Sequence, residues 1–224
     1  MAARAVELIT DGARVGLGSG RAASAFITQL GDRVRQGLQV TAVPTSVVSA
    51  RLAHAAGIPL IELGEEWELD LTVDGADEVA PNLDLLKGRG GAMVRERIVA
   101  AASKRLVILV GREKLVRVLG EHGPLPIEVI PFAVGPVVRM LKGLGLTPVV
   151  RMQSGLRLMS ENGNVTLDSI LPAPTGDRCM LGDLAAAILA LPGVVDVGLV
   201  LDTAERVLVG HPDGRVETLM RGDP

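Results

Sequence analysis

The first half of the chain alternates short apolar runs with segments of helical spacing. Apolar runs of four to six residues predict strands, and apolar positions recurring every three or four residues predict helices. This alternation indicates a parallel sheet covered by helices on both faces. The predicted strands are 14–17, 38–43, 59–63, 69–73 and 105–110, and the predicted helices are 22–30, 47–56 and 91–103.

The second half has a different rhythm, with short apolar runs separated by Ser-Gly and Asn-Gly pairs. Such pairs are typical of tight turns between antiparallel strands. We expect helices at 134–144 and 184–191, with Asp183 capping the second, and strands at 148–152, 156–159, 165–167, 194–201 and 206–210. The pattern predicts a small α+β domain over 127–201 and a main domain formed by 1–126 and 202–224.

Composition narrows the class of protein. The chain has 224 residues, 48% of them hydrophobic and 22% charged, which suffices for a sizeable core. A net charge of −3 and only three aromatic residues argue against a nucleic-acid surface built on base stacking. The longest stretch without Asp, Glu, Lys or Arg, residues 36–50, is shorter than the roughly 20 residues of a membrane span. One cysteine and no signal-like start predict a cytoplasmic protein.

Charge is distributed unevenly in the middle of the chain. Residues 62–84 hold nine acids and no Lys or Arg, whereas residues 87–117 hold nine bases and two acids. Either run alone is typical of a solvated face. Side by side, they favour a site for a small anionic substrate on which proton chemistry is done.

A first glycine loop lies between a predicted strand and a predicted helix. Gly16, Gly18 and Gly20 alternate there, and the helix N-terminus offers amide groups to a phosphate. A tight turn without a ligand explains the pattern equally well. The loop lacks the dinucleotide spacing, and no acidic residue ends the second strand.

Two carboxylates follow the next buried strand, and a second glycine loop follows them. Asp74 and Asp77 stand three residues apart, so they can bind sugar hydroxyls, move protons, hold a hard cation or cap a helix. Lys87 then opens the run Lys-Gly-Arg-Gly-Gly before the helix that carries Glu96. Spacing alone predicts that Glu96 is a surface charge, and no His or Cys has metal-ligand spacing.

Five segments together resemble the type A family of ribose-5-phosphate isomerases. The most specific is DGADEVAPNLDLLKGRGGAMVRERI at 74–98. The others are GLGSGRAASAFI at 16–27, PLPIEVIPFA at 124–133, NGNVTLD at 162–168 and LPGVVDVGLV at 191–200. They occur in the family's order and span nearly the whole chain.

The resemblance implies an α/β fold with a Rossmann-like parallel-sheet domain and a smaller α+β, ferredoxin-like domain. It implies an enzyme that interconverts D-ribose 5-phosphate and D-ribulose 5-phosphate through an enediolate, without cofactor or metal, as a homodimer or homotetramer. Glu96 matches the general base, Asp74 and Asp77 the aspartates on the sugar hydroxyls, and Lys87 the cation beside the reacting carbons. The substrate-binding positions it implies are Ser19, Gly20, Arg21, Ala22, Gly75, Ala76, Gly88, Arg89, Gly90 and Lys114.

The chain departs from the family pattern in its glycine loops. Where the family has Gly-Thr-Gly-Ser-Thr, this chain has Gly-Ser-Gly-Arg-Ala from Gly18 to Ala22. Two hydroxyls are lost and the Arg21 guanidinium is gained, and this group can pair with a phosphate. Arg89 stands where glycine is common.

Three alternatives remain open on the sequence. Ser160, Glu161, Asn162 and Gly163 look like the catalytic Ser-Glu-Asn-Gly run of coenzyme A transferases, whose fold is related. A non-catalytic sugar-phosphate sensor domain would share the fold, although it would normally carry a DNA-binding helix-turn-helix. An isomerase for another phosphosugar would share the chemistry. In every case except the transferase the partner is a small phosphosugar, not a nucleic acid or a membrane.

Overall fold

We describe the fold from a computed structural model, which describes residues 1–65, 68–171 and 177–222. The helices in this part of the chain are α1 (Ala2–Val6), α2 (Arg21–Arg35), α3 (Val47–Ala55), α4 (Met93–Ala101), α5 (Val134–Gly143) and α6 (Arg178–Leu189). Two 3-10 turns cover Arg112–Lys114 and Pro131–Ala133.

The strands in the same part of the chain range from two to six residues. They are β1 (Ala13–Leu17), β2 (Val40–Pro44), β3 (Leu71–Asp74), β4 (Glu78–Val79), β5 (Leu85–Leu86), β6 (Leu106–Gly111), β7 (Leu125–Val129), β8 (Val149–Val150), β9 (Met152–Gln153), β10 (Leu156–Arg157), β11 (Val165–Ser169), β12 (Val194–Val197), β13 (Leu199–Val200), β14 (Arg206–Gly210) and β15 (Val216–Met220).

The chain divides into two compact units. The first unit comprises Met1–Ala76, Arg95–Glu113 and Thr203–Pro224, and the second comprises Asp77–Val94 and Lys114–Asp202. This division differs from the domain boundaries predicted from sequence, because 77–94 and 114–126 lie in the second unit. The reason is strand pairing: β5 pairs with both β4 and β13, and β7 is an inner strand of the second unit's main sheet.

The first unit is built on a six-stranded sheet in the order β15-β14-β6-β3-β1-β2. Every neighbouring pair is parallel except β14 with β15. The sheet grows in opposite directions from β1 and β3, which is the switch in order that characterises doubly wound folds. The Rossmann-like parallel sheet predicted from the sequence is confirmed, and the last strands belong to it as expected.

Helix α2 packs one apolar face against this sheet. Ala23, Phe26, Ile27 and Leu30 recur at helical spacing and are fully buried against the sheet. Gly31 extends the same face, where a Cβ would lie 2.5 Å from the Cβ of Ala56 just beyond α3. This face of α2 therefore packs Phe26, Ile27 and Leu30 against the sheet, and Gly31 allows close contact with the segment after α3.

The second unit contains a four-stranded antiparallel sheet in the order β12-β7-β11-β8. Along the chain its elements follow as β7, α5, β8, β11, α6 and β12, which is the ferredoxin-like βαββαβ arrangement. Val137, Leu141, Leu181 and Ile188 of the two helices pack with the strands in one apolar cluster. The predicted small α+β architecture is confirmed.

Several predicted elements differ in their bounds. The strand expected at 59–63 is only a single bridge, because Pro59 lacks an N–H and the segment bonds to β2 only around Ala42. The strand expected at 194–201 breaks at Gly198 into β12 and β13, which belong to different sheets.

Asp183 is not the cap of α6. The helix starts earlier, at Arg178, and Asp177 caps it by accepting from the Cys179 and Met180 amides. The earlier start places Leu181 and Ile188 two turns apart on the buried face. The described helices include none that is both long and apolar enough to cross a bilayer.

Gly16 in β1 leads to a prediction about packing. A Cβ at Gly16 would lie 1.9 Å from Thr72 Oγ1 and 2.6 Å from Val99 Cγ1. We expect Gly16→Ala to lower the free energy of unfolding by about 1–3 kcal/mol through overpacking. Urea unfolding measures this, with Gly64→Ala as control because a Cβ there meets nothing within 4 Å. Equal stability of the two variants would contradict the prediction.

Glu205 leads to a prediction about pH. Hydrogen bonds from two arginines lower the pKa of the Glu205 carboxyl below its ordinary value of 4.5. The bond from Arg105 has the larger effect, and the bond from Arg206 has a smaller one. A depressed pKa in the folded state stabilises the fold above the unfolded pKa, and this stabilisation is lost as the pH falls through the folded pKa. We expect Glu205→Gln to be less stable than the parent at pH 7 and to approach it near pH 3.

Urea unfolding at the two pH values measures that difference. The control is Glu65→Gln, which removes an exposed carboxylate outside this ion pair. A stability deficit of Glu205→Gln that is the same at both pH values would refute the electrostatic explanation.

Candidate active site

The first glycine loop leaves the carboxyl end of β1, where the order of the sheet reverses. The Gly18 amide donates to Val73 O at 2.9 Å, so the loop stays bonded to β3 beyond the end of β1. A Cβ at Gly18 would lie 2.1 Å from Asp74 Oδ1 and 2.6 Å from Asp74 Cα. This position requires glycine because Asp74 packs directly against its backbone.

Asp74 is the last residue of β3 and is only 1% exposed. Its Oδ1 accepts from the Ser19 amide at 3.0 Å and from the Gly75 amide at 2.7 Å. Hydrogen bonds to a charged acceptor are strong, and the two donors fix the orientation of the carboxylate. The Asp74 carboxylate therefore joins the end of β3 to the loop that follows β1, at the carboxyl end of the strands, where doubly wound folds bind their ligands.

Helix α2 begins immediately after this loop. Gly20 is its N-cap with φ of 89°, in the left-handed region that favours glycine, and no side chain caps the helix. Arg21 is exposed at the first position and Ala22 is half-buried. Within the described part of the chain Arg21 has no ion-pair partner. Amide groups and a guanidinium thus meet at one helix end, an arrangement suited to an anionic group.

The Ser19 side chain is engaged within the protein. Its hydroxyl lies 2.8 Å from both Thr45 Oγ1 and Ser46 Oγ at the start of α3. Ser46 forms a capping box with Ser49, and all three partners of this cluster are buried. Ser19 thus positions the loop through both its amide and its hydroxyl, a role that the glycine pattern did not predict.

Glu96 lies in the first turn of α4 in the first unit and is 7% exposed. The expectation from spacing alone, a surface charge, is wrong. Met93, Glu96 and Val99 follow one another at intervals of three and share the buried face of the helix, while Ile98 faces outward at 52% exposure. Gly75 and Ala76, which end the first unit's segment, are half-buried.

In the second unit, Asp77 is tied to the second glycine loop. Its amide donates to Leu86 O at 2.8 Å, and its Oδ2 accepts from the Arg89 amide at 2.9 Å. The next residue, Glu78, is fully buried and accepts from the Gly120 and His122 amides. Asp77 and Glu78 therefore differ in role, since Glu78 holds a loop of the second unit.

Lys87 and Gly88 open this second loop. Lys87 is only 6% exposed, which is rare for lysine, and its amide donates to Gly198 O at 2.9 Å. Gly88 has φ of 111°, and a Cβ there would meet Met93 Sδ at 2.7 Å. The backbone at Lys87 and Gly88 is thus closely packed, whereas Arg89 and Gly90 are exposed. Lys114 ends a 3-10 turn and is half-buried.

Arg151 contacts this loop, and nothing in the sequence pattern singled it out. Its guanidinium donates to the carbonyl oxygens of Gly88 and Arg89 and forms an ion pair with Asp168. Asp168 ends the NGNVTLD segment, which was noted only for its resemblance. Among the described residues, no group of three or more His, Cys, Asp or Glu side chains could hold a metal ion.

The chain matches a known protein family over most of its length. Residues 41–214 match the family model described as ribose 5-phosphate isomerase A (phosphoriboisomerase A). Ribose-5-phosphate isomerase A of Gloeobacter violaceus is 47% identical over 219 residues, covering 97% of this chain and 93% of that protein.

Solved structures give the same result. Ribose 5-phosphate isomerase A of Methanocaldococcus jannaschii is 39% identical with a TM-score of 0.89, over 98% of this chain and 96% of that one. A D-ribose-5-phosphate isomerase in complex with phospho-erythronic acid is 35% identical with a TM-score of 0.91, over the same shares of the two chains. These relationships, together with the family model, favour the isomerase family over coenzyme A transferases and sensor domains. The chain belongs to the ribose 5-phosphate isomerase A family.

Proposed function

We propose that this protein interconverts D-ribose 5-phosphate and D-ribulose 5-phosphate, a step of the pentose phosphate pathway. The observation that carries the proposal is the full-length similarity to ribose-5-phosphate isomerases A, one of them solved with phospho-erythronic acid. That molecule carries a phosphate and a planar, negatively charged carboxylate, which resembles the planar, negatively charged enediolate of a phosphorylated sugar. The motifs that resemble the family contain every residue to which we assign a role except Lys114.

Glu96 acts as the base in this proposal. Its carboxylate takes the proton from C2 of the open-chain aldose, and the electron pair moves through C1 to give an enediolate with its charge on O1. The carboxyl group then returns the proton to C1, while a proton passes from O2 to O1 and leaves a carbonyl at C2. The reaction balances without an oxidant or a cofactor. A positioned base of this kind contributes about 10²–10⁴-fold to the rate.

The other residues bind and polarise the sugar. Lys87 stabilises the negative oxygen, and the Gly88 and Gly90 amides add neutral donors beside it. Asp74 and Asp77 bind sugar hydroxyls and assist ring opening, next to Gly75 and Ala76 in the chain. The phosphate is held by Gly20, Arg21 and Ala22 at the start of α2, with Ser19 setting the loop and Lys114 as a further cation. Phosphate binding then orients the sugar for proton transfer.

The direct test is to mix the purified protein with ribose 5-phosphate, without metal or nucleotide, and to measure ketose formation. We expect ribulose 5-phosphate at a rate far above the uncatalysed one. A side-by-side panel of other aldose phosphates tests the substrate, because faster turnover of another phosphosugar would move the assignment to that sugar. Hydroxylamine trapping of an acyl-CoA thioester on Glu161 would instead support a transferase.

We also propose that the protein is cytoplasmic and forms a homodimer or homotetramer. Its one cysteine, Cys179, is a free thiol, which suits a reducing compartment. Val47, Val48 and Ile98 of the first unit are each about half exposed or more, and apolar side chains of this kind favour burial against another copy. Light scattering after size exclusion measures the oligomeric state, and a monomer at working concentration would contradict it.

Glu96→Gln tests the base. The substitution keeps the shape of the side chain and removes its basicity, so we expect kcat to fall at least 100-fold with little change in thermal stability. The control is Glu62→Gln, an exposed carboxylate of the same unit. Turnover of Glu96→Gln within tenfold of the parent would remove Glu96 as the base.

Arg21→Ala tests phosphate binding. Loss of the guanidinium weakens ground-state and transition-state binding alike, so we expect the KM for ribose 5-phosphate to rise about tenfold or more and kcat to change less. Inorganic phosphate should also become a weaker competitive inhibitor. Arg33→Ala, at the other end of α2, is the control. An unchanged KM would show that Arg21 does not contact the substrate.

A further inference from the structure

We infer that Arg151 is a positioning residue for the Lys87–Gly90 loop, and specifically that it orients the Gly90 N–H as a donor to the developing enediolate. The inference rests on the proposed function, since it assigns that loop to the reacting carbons. Arg151 lies outside every segment in which the family resemblance was noted. All the contacts that carry the inference lie within the second unit.

The Arg151 guanidinium makes two contacts with the loop. Its NH1 group donates to Gly88 O at 2.8 Å and to Arg89 O at 2.9 Å. Its Nε donates to Asp168 Oδ2 at 2.8 Å, and a second nitrogen bonds the other carboxylate oxygen. The two side chains are only 12% and 23% exposed. Because two parallel bonds fix the guanidinium plane, the NH1 group is held in one direction.

The carbonyl contacts determine which way the loop amides point. The peptide groups of the described residues are all trans, so the C=O and the N–H of each peptide point in opposite directions. The Gly88–Arg89 peptide has its carbonyl on Arg151 and its N–H on Asp77. The Arg89–Gly90 peptide also has its carbonyl on Arg151, so its N–H, which belongs to Gly90, points away from Arg151.

The Gly90 N–H has no hydrogen-bond partner among the described residues. A cation on the carbonyl of the same peptide withdraws electron density and strengthens the N–H as a donor. Glu161 fixes the end of the loop, because its amide donates to Gly91 O at 3.1 Å. The Ser160–Asn164 turn that carries Glu161 is itself bound to buried Glu128 through Ser160 and Asn164. The run that looked like a transferase motif is therefore part of the support of this loop.

Only arginine fits this role. A lysine has one nitrogen on a flexible stem and cannot hold the carboxylate at two oxygens while contacting two carbonyls. Loss of one oriented donor to a developing oxyanion typically lowers kcat by about 10²–10³-fold. Phosphate binding, which we assign to the start of α2, does not depend on Arg151. The inference therefore predicts a loss in kcat rather than in KM.

The experiment compares Arg151→Ala, Arg151→Lys and the control Arg157→Ala, which removes an exposed arginine two strands along the same chain segment. We expect both Arg151 variants to lose at least 30-fold in kcat with KM changed less than threefold, and the control to match the parent. Millimolar guanidinium should restore at least fivefold of the kcat of Arg151→Ala, and equal sodium chloride should not. A purely structural arginine would give neither the kcat-only loss nor the rescue.

Hydrogen exchange and a second variant test the role of Arg151 independently of the kinetics of Arg151→Ala. Hydrogen exchange of the Arg89 amide, bonded to Asp77 in the parent, should accelerate in Arg151→Ala, and guanidinium should slow it again. If Arg151→Ala does not fold, Asp168→Asn, which frees the guanidinium without removing it, should show the same kcat-only loss. Unchanged kcat, a loss confined to KM, or unchanged exchange at Arg89 would overturn the inference. A parent without isomerase activity would overturn the proposed function instead, and the exchange measurement would still decide the role of Arg151.

Discussion

The first unit depends on the contact between the Asp74 carboxylate and the backbone of the first glycine loop. Two amides, of Ser19 and Gly75, bind one carboxylate oxygen, and Gly18 gives up its side chain so that the approach is possible. The contact joins the ends of β1 and β3 at the point where strand order reverses. The contact therefore holds the Asp74 carboxylate beside the loop that leads into α2, where the proposed function places the sugar hydroxyls and the phosphate.

In the second unit, contacts from neighbouring residues fix the conformation of the second glycine loop. A glycine loop has no side chains to define its conformation, so its carbonyl groups must be held from outside. Arg151 and the Glu161 amide donate to carbonyl oxygens of the loop, and the Asp77 carboxylate accepts from the Arg89 amide. The three residues come from different parts of the unit. Buried Glu128 in turn holds the Ser160–Asn164 turn, and half-buried Asp168 holds the guanidinium of Arg151. A ferredoxin-like sheet with charged residues on one face thus serves as a rigid support for a flexible sequence.

Local patterns predicted the parallel sheet, its glycine loop and a small α+β domain, because short-range periodicity and turn residues indicate each of them. The ferredoxin-like arrangement of that domain was implied by the family resemblance. The strand pairings that set the unit boundaries were not predictable, since β4, β5 and β13 have only two residues each and join distant parts of the chain. Glu96 was misjudged because two arginines flank it, while its burial depends on which face of α4 packs inward. Arg151 gave no signal because its contacts with the loop are to backbone carbonyls, which side-chain spacing does not reveal, and its carboxylate partner, Asp168, lies 17 residues away in the sequence.

Neither unit is one continuous stretch of chain, and this has a consequence for biosynthesis. The first unit's sheet is completed by β14 and β15, which follow the entire second unit along the chain. While the ribosome is still adding those last residues, the outer edge of β6 has unsatisfied backbone groups and apolar side chains that β14 later covers. Nascent chains that stall before residue 206 would expose that edge to aggregation or to chaperones. Because the second unit ends at Asp202, it can fold before the six-stranded sheet is complete.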